Sequence, residues 1–122
     1  MKIRTGLIAL VASFLCVGIA NANTLRVVVV QTADLSAYVK SLQEGQALLT
    51  KKGSPAHIRA WVARYAGPEA GSVVVSVEYP NLATLAKDDA LFEGDPEVRA
   101  WLQGLAKIRK IVSDSIYEEA KP

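Results

Sequence analysis

Hydrophobic positions follow two rhythms along this chain. Residues 25–32, LRVVVVQT, are β-branched and apolar at consecutive positions. That pattern suits a strand covered on both faces. Leu35, Tyr38, Val39, Leu42 and Leu49 then recur at helical spacing. Asp34 is placed to cap that helix, and Gly53 to stop it. Lys51 and Lys52 sit in its last turn, where they complement the helix dipole. Gly45 falls in its middle, where glycine costs about 1 kcal/mol relative to alanine. Residues 56–65 and 72–79 return to a period of two, and AGPEAG between them has the residues of a hairpin loop. A second helix follows Pro80 and Asn81, with Leu82, Leu85, Ala86 and Phe92 on its apolar side. EGDP divides it from a third: Gly94 ends one helix, Asp95 caps the next, and Pro96 fits its first turn. Val98, Trp101, Leu102, Leu105 and Ile108 form the stripe of that last helix. Residues 111–117 complete the pattern as a strand, before the polar tail EEAKP.

The predicted order is strand, helix, strand, strand, helix, strand. This is the split βαβ, or ferredoxin-like, arrangement of the α+β class: a four-stranded antiparallel sheet with helices on one face. The valines of the first strand, Trp61 or Val62, and part of the run 73–77 then remain on a face without helices. An apolar sheet face left bare is an association surface. A two-fold homodimer, with two sheets face to face, is the economical cover.

The hairpin RAWVARYAGPEAGSVVVSVEYPNLATLA, followed by DPEVRAWL and IVSDSIY, resembles the dimeric α+β barrel superfamily. It is most similar to small exported, NIPSNAP-like members of unknown role. The resemblance spans nearly all of residues 23–122. It implies a dimeric barrel. It leaves function open, because related barrels include monooxygenases, haem-degrading enzymes, chlorite dismutase-like proteins and proteins with no established activity.

The start of the chain reads as an export signal. Lys2 and Arg4 precede an uncharged apolar run over 7–20, and Ala20-Asn21-Ala22 supplies the small–x–small cleavage pattern. Cleavage after Ala22 divides the chain into a signal peptide, 1–22, and one domain, 23–122. The run is short for a spanning helix, which needs about 20 apolar residues. Leu15 before Cys16 argues against lipidation. No stable membrane anchor is therefore expected after cleavage, and the protein is expected to be periplasmic or secreted. Of 14 basic residues, Lys2 and Arg4 leave with the signal, so the mature chain balances the 12 acidic ones. A neutral chain gives no ground for nucleic-acid binding. Cys16 is the one cysteine, so the mature protein has no disulfide and depends on its core or on a partner subunit.

Strand parity selects the candidate site. His57, Arg59, Trp61, Ala63 and Tyr65 share one face of the second strand, and Ile58, Ala60, Val62 and Arg64 the other. The second set is smaller and more aliphatic and is assigned to the helices. On the third strand Val73, Val75, Val77 and Tyr79 are assigned to the helices as well, which turns Ser76 and Glu78 toward the barrel interior. Arg59, Trp61, Ser76 and Asp114 are thus the expected ligand-binding residues, an aromatic wall with a few polar groups. Glu78 and His57 are the candidate catalytic residues; burial would favour a proton-transfer role for Glu78. The competing structural reading is a cross-strand Arg59–Glu78 ion pair with Trp61 packed as dimer core. His57 is the single histidine, at a strand start after Pro55. With one histidine and no mature cysteine, neither a metal cluster nor a haem site assembles, and no cofactor is expected. KIRK, 107–110, reads as a basic helix end or a solvated face.

These observations support an exported small dimeric barrel that binds a small apolar or aromatic molecule. Two alternatives stand beside it. One is a cofactor-independent, monooxygenase-like enzyme acting on an aromatic substrate; the other is a purely structural envelope interaction module.

Overall fold

The computed structural model describes residues 22–64 and 67–120. The predicted signal peptide and Tyr65 therefore fall outside the described residues, apart from Ala22. Four strands form one antiparallel sheet: β1 (Thr24–Gln31), β2 (His57–Val62), β3 (Val73–Tyr79) and β4 (Lys110–Glu118). Their order across the sheet is β2-β3-β1-β4. Three helices lie between them in sequence: α1 (Leu35–Lys51), α2 (Leu82–Gly94) and α3 (Pro96–Ala106). A 3₁₀ turn, Gly67–Glu69, occupies the hairpin loop. The topology is that of the ferredoxin-like α+β fold. No helix among the described residues is long and apolar enough to cross a membrane.

The caps form where the residue types favour them. Asp34 accepts the Ala37 amide at 3.0 Å, and Asn81 accepts the Thr84 amide at 2.8 Å. Asp95 closes α2 and opens α3 at the same time, accepting the amides of Glu97 (2.9 Å) and Val98 (3.1 Å). Those amides, Val98 first, hold its carboxyl below the usual carboxylate range. Lys52, just past α1, bridges Asp95 at 3.2 Å and Glu97 at 2.7 Å. The start of α3 is thereby tied to the end of α1.

The sheet's helix-facing side is the core. Val28 and Val30 of β1 and Val73 and Val75 of β3 pack with Tyr38 and Leu42 of α1 and Leu105 of α3. Leu49, Ala56, Tyr79, Leu85 and Val98 continue that core toward the far end of the sheet. Gln46 stitches α1 to β2: its amide donates to the Ala56 carbonyl at 2.9 Å and accepts the Ile58 amide at 2.7 Å. A polar cluster is buried beside it. Asp88 accepts hydrogen bonds from the Tyr79 hydroxyl at 2.8 Å and from Ser54 at 2.7 Å. Burial, together with the bond to Asp88, keeps the Tyr79 phenol protonated well above its ordinary range. The apolar side expected for α2 is accordingly reduced. Leu85 is buried, Leu82 and Ala86 are exposed, and Asp88 takes the buried position because its partners satisfy it.

Gly45 has a use that its helix propensity conceals. A Cβ at this position would run into the indole of Trp101. The ring lies against the α1 backbone, and its Nε1 donates to the Ser41 carbonyl at 2.9 Å. Glycine here exchanges about 1 kcal/mol of propensity for close helix–helix contact.

Strand β4 is the outlier. It pairs with β1 along its length, with a register shift between Val29 and Val30 that leaves Val112 unmatched. The described helices pack mainly over β2 and β3, so β4 is thinly covered: Ile111, Val112, Ile116 and Tyr117 are all about half exposed, at 49–56%.

Gly45→Ala should lower stability by about 1–2 kcal/mol, because overpacking against Trp101 outweighs the propensity gain. Gly104→Ala, on α3 with open space around it, should raise stability by up to about 1 kcal/mol. Urea denaturation of the two variants checks the pair of opposite signs.

Candidate functional site

The two faces of the sheet offer different environments. On the open face, β2 and β3 are in register as Arg59↔Ser76, with Trp61 opposite Val74 and His57 opposite Glu78. Parity places His57, Arg59, Trp61, Ser76 and Glu78 together, as the sequence pattern predicted. All but the exposed His57 are paired with one another. Trp61 Nε1 donates to Ser76 Oγ at 3.0 Å. Arg59 Nη1 lies 3.6 Å from Glu78 Oε2, and its guanidinium stacks over the Trp61 ring, 4.4 Å from the centroid. Ser76 and Glu78 are covered by these longer neighbours, whereas Trp61 stays 47% exposed and His57 is exposed. The result is an open groove of about 680 Å³ that also takes in Leu25, Val27 and Tyr117.

Asp114 does not belong to this group. It pairs in register with Val28 and faces the helices. There it grips Arg26 in a bidentate pair, Nε–Oδ1 3.0 Å and Nη2–Oδ2 2.7 Å. The expected fourth ligand-binding residue is therefore on the opposite side of the sheet. The reason is register: the alternation within SDS sets two options, and only the pairing with β1 chooses between them.

Arg26 and Asp114 instead flank a cavity of about 460 Å³ between the sheet and the helices. Its floor is Val28, Val75, Val77 and Ile58, and its walls include Leu42, Phe92, Trp101 and Leu102. Exposed Asp89, Glu93 and Ile111 mark its mouth, beside β4. Arg109, which begins the approach to β4, also lines it. This residue is half-buried; Nη1 reaches the Tyr38 hydroxyl at 3.3 Å, and Nε is buried with no hydrogen-bond partner. A buried donor without a partner costs about 1–3 kcal/mol.

Sequence reasoning missed this cavity. The signal was present in LRVVVVQT, where Arg26 shares the helix-facing register of Val28 and Val30. A charge in that register implies either a partner or a solvent-accessible gap. The structure supplies both. Reading KIRK as a solvated helix end likewise overlooked that Arg109 turns inward to Tyr38, itself fully buried. Among the described residues, no group of three or more His, Cys, Asp or Glu side chains gathers as a metal site.

No protein-family model and no curated protein matches the chain. Among solved structures, it is similar to a conserved protein of unknown function from Bacteroides thetaiotaomicron VPI-5482, described as a possible oxidoreductase. That match has a TM-score of 0.56 at 11% identity and covers 80% of this chain and 98% of the other. A second similar structure is a dimeric protein of unknown function with a ferredoxin-like fold from Bacteroides fragilis NCTC 9343. Its TM-score is 0.49 at 17% identity, over 78% of this chain and 95% of that one. At 11% identity the first likeness is one of fold.

The Arg26–Asp114 pair generates a pH prediction. The hydrogen bond from Arg26 holds the Asp114 carboxyl below its ordinary range. Its stabilisation is complete above the unfolded carboxyl value of about 4 and disappears as pH falls through the lower folded value. Asp114→Asn should thus cost up to about 1 kcal/mol at neutral pH, as befits a part-exposed pair. The difference from wild type should shrink toward zero near about pH 2. Urea unfolding at the two pH values measures it.

Proposed function

We propose that this is an exported homodimer that binds a small apolar or aromatic molecule in the cavity between each protomer's sheet and helices. The carrying observation is that cavity. Its volume of about 460 Å³ lies within the roughly 300–1,000 Å³ of small-molecule sites. It combines an aliphatic and aromatic interior with a few charged groups at the rim, the composition that binding sites favour. The open-face groove has a different character. Ser76 and Glu78, the polar groups a ligand there would use, already have Trp61 and Arg59 as partners.

The open face is the proposed dimer interface. Leu25, Val27 and Val29 of β1 and Val74 of β3 lie between the exposed rings of Trp61 on β2 and Tyr117 on β4. No described helix covers them; Val29 is already buried within the protomer, and a second sheet laid face to face would bury the half-exposed Leu25, Val27 and Val74. The Trp61–Ser76 hydrogen bond would enter such an interface already made, and Arg59 and Glu78 would enter it as an ion pair, which lowers the desolvation cost of closing it. This is a barrel dimer of the kind that the exported, NIPSNAP-like resemblance implies. Export to the periplasm or beyond the cell belongs to the same reading, with cleavage after Ala22 just before β1. No turnover is assigned to Glu78 or His57.

Sedimentation of the mature protein should give a dimer, and Trp61→Glu should give a folded monomer. Titration with the neutral probe N-phenyl-1-naphthylamine should show one site per protomer. Val77→Phe, which fills the cavity, should weaken that binding severalfold, while Trp61→Ala should leave it in place. The opposite pattern would move the ligand to the open face. A stable wild-type monomer would remove the dimer, and absence of probe binding would remove the cavity reading.

A further inference from the structure

Two arginines line the helix-side cavity, and they are in different states. Arg26 is committed: both carboxylate oxygens of Asp114 bind it at 2.7–3.0 Å. Arg109 has no carboxylate within ion-pair distance among the described residues. Its one contact of note is a long hydrogen bond to the neutral Tyr38 hydroxyl, and its Nε–H is buried without a partner. A half-buried guanidinium with donors to spare is a ready receptor for a planar anion, because its fork matches a carboxylate with two parallel bonds.

We infer that the cavity is selective for an amphipathic carboxylate, an aromatic or alkyl acid whose acid group seats on Arg109 and whose apolar body lies over Val28, Val75 and Val77. The inference rests on the cavity being the ligand site. The remaining charges fix the orientation. Asp89 and Glu93 are exposed on α2 at the mouth and repel an anion left there. Asp114 is held by Arg26 and does not compete for Arg109 at ion-pair range. The acid therefore has one favourable position inside, and the hydrocarbon part has the Leu42, Phe92 and Trp101 walls to cover it. An acid bound in this way supplies the close counter-charge that Arg109 lacks among the described residues.

The test uses three probes of one shape with the mature dimer: 2-naphthoate, the isosteric neutral 2-naphthamide, and the cationic 2-naphthylmethylammonium. Isothermal titration should show naphthoate binding roughly ten- to hundredfold more tightly than the amide, the range of a hydrogen bond to a charged group. The ammonium should bind least. Arg109→Gln should bring naphthoate and amide to equal affinity. A direct reading in the wild-type protein keeps the test independent of how that variant folds: the Arg109 Nε–H NMR signal should shift with naphthoate and not with the amide. Equal binding of acid and amide by the wild type, a preference that survives in folded Arg109→Gln, tightest binding by the ammonium, or a silent Nε–H signal would each overturn the inference, with the cavity still the ligand site. Failure of all three probes to bind would instead overturn the cavity reading itself, and this inference with it.

Discussion

Everything in this fold hangs on the pairing of β1 between β3 and β4. Val28↔Val75 and Val30↔Val73 set two rows of β-branched side chains toward the helices, and Val27 and Val29 set the alternate row toward the open face. With a side-chain period of two, a slip by one residue would exchange the rows and send Arg26 to the open face and Val27 to the core. Helical cover resists such a slip, because Tyr38, Leu42 and Leu105 pack on Val28 and Val30 in particular. The strand that anchors the sheet therefore also decides which charges face inward.

The cavity follows from how the helices lie on that sheet. The α1 helix is drawn close to α3 by the contact between Gly45 and Trp101 and by the Lys52 bridges to Asp95 and Glu97. Gln46 pins α1 over the start of β2. Drawn to that side, the described helices leave β4 thinly covered, and the gap beside it is bounded by Arg26, Asp114 and Arg109. Interiors at close-packed density leave little void by default. A gap of this size with charged groups at its border is thus a feature of the helix placement and of the Arg26–Asp114 pair.

The open face solves a different problem. Four of its polar groups sit in two cross-strand pairs that share the Trp61 ring, since Arg59 stacks on the indole whose N–H binds Ser76. Cross-strand pairs of this kind stabilise a sheet surface by a few tenths to about 1 kcal/mol each. They also leave an apolar surface with no unpaired charge in the described Arg59–Glu78 region. The polar and aromatic load on β2, which in the sequence resembles a site, is in the structure a set of mutually paired side chains.

Much of the architecture was legible in the residues themselves. Helical periodicity, the caps at Asp34, Asn81 and Asp95, and the glycine stop after α1 are local properties, set by neighbours within a few positions. The same holds for the alternation that puts Arg59, Trp61, Ser76 and Glu78 on one face, because parity within one strand needs no knowledge of the next. What lay beyond local pattern was register and helix placement. Asp114 lies with Arg26 because β4 pairs with β1 in one of two parities, past a bulge at Val112. Arg109 turns to Tyr38, and Gly45 admits Trp101, because segments distant in sequence meet there. Periodicity measures a residue against its own element; contacts between elements depend on the packing of the whole chain, and the cavity exists only at that level.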